Sequence, residues 1–403
     1  MSEPANRAEA TLPLSGVRIL DFSRLLPGPW CTQLLGDMGA EVVKVEHRES
    51  GDPSRHNPPH LRENSAYFAS VNANKRSLTL DLRSKQASEV VRRLFGWADV
   101  AIESFSVGTA RRLGIDYDAA RRVNDAIIYC SVSGFGQTGE WAGVPGHDLV
   151  VQAASGILSP HPGHMPQFQA GDYAAASMAV IGILTALRWR DRAGIGSYLD
   201  ISMFDSLVAM GNIAFGPALS RAGGGTGEPG LHAWGGNPRY NLYKTRDGKS
   251  VAVCLLEARL WNDFCAVIGR PDLVSRSEDI ADRHSRHGER GEAFNAAISA
   301  FCSGLDRDEL VALMSRHALP VMAVADADEA VNGTHMRQRG MVRAASHPQD
   351  GDILEIGNPL ARSGFVRETR LPAPALGCGT DEILHDLGYS IEEVQALRAA
   401  EVV

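Results

Sequence analysis

Val17-Arg18-Ile19-Leu20-Asp21-Phe22 leads into Leu26-Pro27-Gly28-Pro29, then into the run from Trp30 to Met38, and then into Glu41-Val42-Val43-Lys44-Val45-Glu46. The two short runs rich in Val and Ile read as strands. Pro27-Gly28-Pro29 is a sharp turn, and Pro29 suits the first turn of a helix over 30–38 that Gly39-Ala40 closes. Strand, turn, helix and strand in this order begin a parallel α/β sheet. Working outward, the same alternation predicts strands over 77–82, 100–104 and 126–131 and a helix over 84–96. An irregular glycine-rich stretch from Gly134 to Gly146 follows. Beyond it come helices over 149–158 and 173–190, a strand over 198–202 and a further helix from Asp205.

A chain of 403 residues exceeds what one hydrophobic core usually serves, so two structural units are expected. The glycine-rich run from Arg221 to Gly236 marks the junction, giving a large domain of 12–222 with 331–403 and a small one of 223–330. The small domain opens on a strand pair turned at Asp247-Gly248 and continues with helices from Trp261 to about Met314. The tail from Asn358 mixes extended, proline-rich chain with one terminal helix after Ser390.

Composition excludes several classes of function. With 44% hydrophobic and 22% charged residues the chain is an ordinary folded protein, and its net charge of −8 argues against non-specific nucleic-acid binding. Six cysteines without a CxxC pair point to free thiols rather than a metal cluster or a disulfide scaffold. The longest apolar stretch, Tyr173 to Leu187, is short for a bilayer span and suits a buried helix. No basic-then-apolar leader pattern opens the chain, and a cytoplasmic protein with no membrane partner is expected. Gly134-Phe135-Gly136-Gln137-Thr138-Gly139 fits GxGxxG, yet Glu140 to Pro145 is a poor helix start and no ribose-binding acid follows at the required distance. His161 and His164 form a lone pair without a third ligand nearby, so no metal site is expected.

Asp172 stands directly before an apolar helical run, where a helix N-terminus stabilises a carboxylate. It reads equally well as an N-cap or as a reactive acid.

A further set of motifs carries a resemblance. Leu14-Ser15-Gly16-Val17-Arg18-Ile19-Leu20-Asp21-Phe22-Ser23, Pro27-Gly28-Pro29 and the stretch Leu35 to Glu46 come first. Asn74-Lys75-Arg76-Ser77, Ala98-Asp99-Val100, Gly146-His147-Asp148-Leu149, Gly171-Asp172-Tyr173, Arg192 to Asp200 and Pro374-Ala375-Leu376-Gly377 follow. In this order, from about residue 14 to the end, they resemble the class III CoA-transferases of the CaiB/BaiF type, a family that includes α-methylacyl-CoA racemases.

The resemblance implies a doubly wound large domain built from both ends of the chain, a smaller α/β domain between them, and an interlocked homodimer. It implies coenzyme A as the substrate thioester, with an acyl-CoA and a carboxylic acid as the reacting partners. Asp172 matches the family's nucleophile, which forms an aspartyl mixed anhydride and frees CoA. Arg24, Leu25 and Pro27 match turn residues that touch the nucleotide, Lys75, Arg76, Phe105 and Arg112 match further contacts, and His47 stands at a contact position where relatives often carry Arg. His147 stands where many transferases carry Tyr and racemases carry His, and Glu257 matches a racemase acid. The expectation is CoA transfer. The alternatives are racemisation by His147 and Asp172 with Glu257, and a silent CoA-binding subunit, against which the intact Asp172 argues.

Overall fold

The computed structural model describes residues 12–158, 165–226, 235–279, 282–283, 285–367 and 370–403. His161 and His164 lie outside the described residues. The chain divides into two compact units, one reaching Asn212 and resuming at Thr334, the other spanning Ile213–Gly333. The first cut thus precedes the glycine-rich run, and the helix Asn212–Ala222 goes with the second unit.

In the first unit β1 (Arg18–Asp21), β2 (Glu41–Glu46), β3 (Lys75–Thr79), β4 (Val100–Glu103), β5 (Ile128–Ser133) and β6 (Ser197–Ser202) form one parallel sheet. Their order is β3-β2-β1-β4-β5-β6. Neighbouring residues of a strand enter opposite cores. Ile19 and Val42 pack with Cys31, Leu35, Ala175 and Ile183, whereas Leu20 and Val43 pack with Leu78, Leu94 and Ile383. Both faces are therefore covered by helices, which explains why the strands are apolar runs rather than alternations. The strand order reverses between β1 and β4, and in such sheets ligands enter at the carboxyl ends of the two strands flanking that switch. β3 begins two residues before the expected 77, because Asn74 turns into it at φ 62° and Lys75 pairs with Val42.

The second unit carries an antiparallel sheet of β7 (Tyr240–Lys244), β8 (Ser250–Cys254) and β9 (Val321–Ala323). Gly248, at φ 76°, makes the expected turn between the first two. Trp261, Phe264, Phe294, Ile298 and Met314 form its core.

The chain then returns to the first unit through a hairpin, β10 (Val342–His347) and β11 (Gly351–Ile356), which the sequence reading did not anticipate. Arg343, Ala344, Ala345 and Ser346 carry too little β character to reveal it. Past the hairpin, Arg370 pairs with Asp37 at 2.6 Å and Asn358 donates to the same carboxylate at 2.8 Å. The Asp81 N–H reaches the Val402 carbonyl at 2.8 Å, and Ser390 with Glu393 caps the last helix. The large unit thus needs both ends of the chain.

The helix Ala170–Ala193 has 24 residues, longer than expected, and by length and composition alone would cross a membrane. Ala174, Ala175, Ala179, Ile183 and Leu187 on one side of it are buried in the sheet's core.

Beneath the turn after β1 lie two lysines with fully buried side chains. Lys75 Nζ meets Asp21 at 3.0 Å, the Pro29 carbonyl at 2.9 Å and Asn72 at 2.8 Å. Lys44 Nζ meets Asp52 at 2.9 Å and the Ser23 carbonyl at 2.8 Å. Burial by itself would raise the Asp21 carboxyl, but Lys75 and Lys44, with hydroxyls of Ser23 and Thr32, bring it down to about 2. Its contribution to stability is therefore full above pH 4 and lost only as pH falls towards 2. Removing one partner strands the other charge in the core. Lys75→Ala should lower the unfolding free energy by about 3–5 kcal/mol, read from denaturant midpoints. An unchanged midpoint would show that the pair does not support the turn.

Candidate active site

The turn that follows β1 is built under tight constraint. A Cβ on Gly28 would lie 2.2 Å from the Ser23 side chain, so only glycine lets the helix Pro27–Asp37 start this close to the strand. Leu25 takes φ 63°, costly for a branched side chain, and its N–H is held by Asp52 at 3.2 Å. Pro27, buried, is the first residue of the helix. Between these two anchors Arg24 extends over the Phe105 ring, 4.6 Å from its centroid.

Arg24, His47, Arg83, Phe105 and Arg112 line one cavity of about 260 Å³. Its walls are the ends of β1, β2, β3 and β4, at the switch point. Burial lowers the Arg24 guanidinium, and the like charge of Arg83 pushes it further, against the pull of Asp52. Cations held close with an aromatic face among them make a site for phosphate groups and a planar base. His47 accepts from Ser50 Oγ at 3.1 Å through Nδ1, with the Ser50 N–H a longer contact at 3.4 Å, which leaves its Nε2 free of the turn.

Two residues expected here are placed elsewhere. Lys75 is the buried partner of Asp21. Arg76 is the second residue of β3 and is engaged by Glu41, by Glu382 at 3.1 Å and by Asp386 at 2.9 Å. Its guanidinium ties the helix Thr380–Asp386 to the sheet. Sequence reasoning missed Arg83, although its position just past the carboxyl end of β3 was the available signal.

Asp172 lies in the first turn of the helix Ala170–Ala193 and is not its cap; that place belongs to Gln169, whose side chain makes no capping bond. The cap comes from another helix. Asp148 Oδ1 accepts from the Gly171 N–H at 2.8 Å and the Asp172 N–H at 3.3 Å. Asp148 is steadied by Gln152, which donates to it at 2.6 Å and to the Phe168 carbonyl at 2.9 Å. A Cβ on Gly171 would crowd Asp148 at 3.1 Å and Val151 at 3.3 Å.

The result is a half-buried Asp172 carboxylate with no hydrogen bond among the described residues. Burial, and secondly the charge of Asp148, push its pKa up to about 7. The helix N-terminus opposes this rise, favouring a carboxylate by about 0.3–1 kcal/mol. Tyr67 and Tyr173 are near enough for the Asp172 charge to raise their phenols, in addition to burial.

His147 immediately precedes the helix Asp148–Ser155 and is exposed. The loop before it is pinned where Gly134 and Gly146 meet back to back; a Cβ on either would fall within 2.7 Å of the other's Cα. The GxGxxG-like run in that loop opens no helix. Glu257 belongs to the second unit, at the start of the helix Ala258–Val267, where it pairs with Arg283 at 2.7 Å.

A cavity fit for a nucleotide and an unpaired carboxylate on a rigid helix mark an enzyme of group transfer. Residues 14–380 match the family described as CoA-transferase family III, and the chain belongs to that family. It is similar to the formyl-CoA:oxalate CoA-transferases of Escherichia coli O157:H7 and Shigella dysenteriae, each 28% identical over 96% of this chain and 98% of theirs. Among solved structures, a CaiB/BaiF family protein from Brucella suis is 27% identical with a TM-score of 0.78, covering 94% of this chain and all of that one. A Mycobacterium tuberculosis protein, Rv3272, is 27% identical with a TM-score of 0.79, over 92% and 98%.

A carboxylate kept unpaired costs stability. Unfolded, Asp172 ionises near 3.8; folded, near 7. The cost is thus absent at low pH, grows as pH rises between these values and is full above 7. Asp172→Asn should raise the melting temperature by about 2–4 °C at pH 8, the equivalent of about 1 kcal/mol, and by less at pH 5. A lower melting temperature at pH 8 would mean that the carboxylate has a structural partner.

Proposed function

We propose that the protein transfers CoA from an acyl-CoA thioester to a free carboxylic acid, with Asp172 as the covalent nucleophile. The observation that carries this reading is the unpaired, half-buried Asp172 carboxylate, freed from capping by Asp148. A carboxylate with raised basicity and little water around it is a stronger nucleophile than one on the surface.

Asp172 attacks the thioester carbonyl; the C–S bond breaks and CoA leaves as thiolate, giving a mixed anhydride. The thiolate then attacks the aspartyl carbonyl, releasing the first acid as carboxylate and leaving CoA on Asp172. The acceptor carboxylate attacks that thioester, forms a second anhydride and frees the thiolate again. Attack of the thiolate on the acceptor's carbonyl makes the new acyl-CoA and restores Asp172. No water and no net charge enter the cycle.

Arg24, Arg83 and Arg112 are suited to the CoA phosphates, Phe105 to the adenine, and the Leu25 to Pro27 turn to the nucleotide's approach. His47 adds a donor through Nε2. His147, exposed beside Asp148, is suited to orienting the substrate.

Asp172→Asn should abolish transfer while CoA still binds, and wild-type enzyme given donor alone should yield a hydroxamate at Asp172 with hydroxylamine. Because only the ionised form attacks, kcat/KM should rise with unit slope up to about pH 7 and then level off. Transfer retained in the Asn variant would refute the nucleophile. Deuterium uptake at the α-carbon of a 2-methylacyl-CoA, dependent on His147 and without CoA exchange, would replace this reading with racemisation.

The working form proposed is a homodimer, in which a large unit closed by a returning C-terminal segment loops around its partner. Ile181, Trp189 and Ile213 are more than half exposed, apolar surface that a partner would cover. Light scattering at nanomolar concentration should give twice the chain mass, and an active monomer there would refute the dimer.

A further inference from the structure

Tyr173 follows the nucleophile directly and is held between two other rings. Trp30 meets it edge-on at 4.9 Å and 89°, and Phe168 lies parallel to it at 5.0 Å and 7°. Trp30 belongs to the helix after β1 and packs on the sheet's core, so this wall is fixed from below. Phe168 lies two residues before the helix Ala170–Ala193; its carbonyl is held by Gln152, while its side chain is 61% exposed. An aromatic stack therefore ends in an uncovered apolar face a few residues from the reacting carboxylate.

The charges there are of one sign. Besides burial, the charge of Asp148 raises the Asp172 carboxyl, and among the described residues neither carboxylate is paired with a lysine or arginine. Arg24, Arg83 and Arg112 line the cavity at the strand ends with Phe105.

We propose that the acyl site beside Asp172 takes an apolar monocarboxylic acyl group, best an aromatic one, and excludes dicarboxylates. The inference rests on the reading of Asp172 as the nucleophile. A ring placed against Phe168 and Tyr173 gains stacking and buries apolar area. A dicarboxylate would bring a second negative charge beside Asp148 and Asp172 with no cation to meet it, and desolvating it there would be uncompensated. The related transferases named for formyl-CoA and oxalate would then differ from this protein in the acid they accept.

The test uses the full-length enzyme with benzoyl-, phenylacetyl-, isobutyryl-, acetyl-, succinyl- and oxalyl-CoA as donors and the matching acids as acceptors, with products read by mass. Benzoyl or phenylacetyl transfer should exceed succinyl and oxalyl transfer in kcat/KM by about 100-fold. Phe168→Ala, a change at an exposed side chain that leaves the backbone contact to Gln152, should lower the aromatic-to-acetyl ratio about tenfold. Phe168→Arg should shift the preference towards the dicarboxylates. Preferred oxalyl or succinyl transfer by the wild type would overturn the proposal, as would a Phe168→Ala variant whose aromatic-to-acetyl ratio is unchanged. Absence of transfer and of acyl-enzyme with every donor would instead overturn the nucleophile reading beneath it.

Discussion

Two lysines without solvent hold the turn on which the arginine-lined cavity depends. Lys75 bridges Asp21, at the end of β1, to the Pro29 carbonyl inside the next helix. Lys44 bridges Asp52 to the Ser23 carbonyl. Each ammonium thus satisfies a backbone carbonyl of the turn together with a buried carboxylate. Burying such charges is costly unless each is fully paired, and here each is. The return is geometric: the segment between Ser23 and Pro29 is fixed tightly enough for Leu25 to remain at a positive φ and for Arg24 to lie over Phe105.

The same division between support and action recurs at Asp172. Capping a helix and attacking a thioester ask opposite things of a carboxylate, since a cap is engaged by N–H groups and a nucleophile must be free. The fold separates the tasks by assigning the cap to Asp148, on a different helix. Asp172 then keeps its helix position without a hydrogen bond among the described residues, and the stability forgone is what the proposed nucleophile requires. Glycines make the approach possible: Gly171 admits the Asp148 carboxylate, and the Gly134–Gly146 contact sets the loop that leads to His147.

The alternation of apolar strands and helices was legible from the chain, because a sheet buried on both faces leaves continuous runs of Val, Ile and Leu. So were the Asp247-Gly248 hairpin and the last helix, written in local backbone preferences, whereas Pro27-Gly28-Pro29, read as a turn, is the first turn of the helix Pro27–Asp37. The hairpin of β10 and β11 was not legible, since its residues form strands through pairing rather than propensity. Glycine density drew the expected boundary at 222, whereas the two compact units part at Asn212.

At the site, the sequence by itself determined that Asp172 stands at the head of an apolar helix, while Arg24, His47, Phe105 and Arg112 came forward through the family resemblance. It did not distinguish Lys75 and Arg76 from Arg83, because all three are cations near one strand. Only the tertiary structure decided between them: Lys75 is consumed by Asp21, Arg76 by Glu41, Glu382 and Asp386, and Arg83 is left facing the cavity. The physical reason is that a charge's role follows from its partners, and those partners lie from tens to hundreds of residues away in the chain.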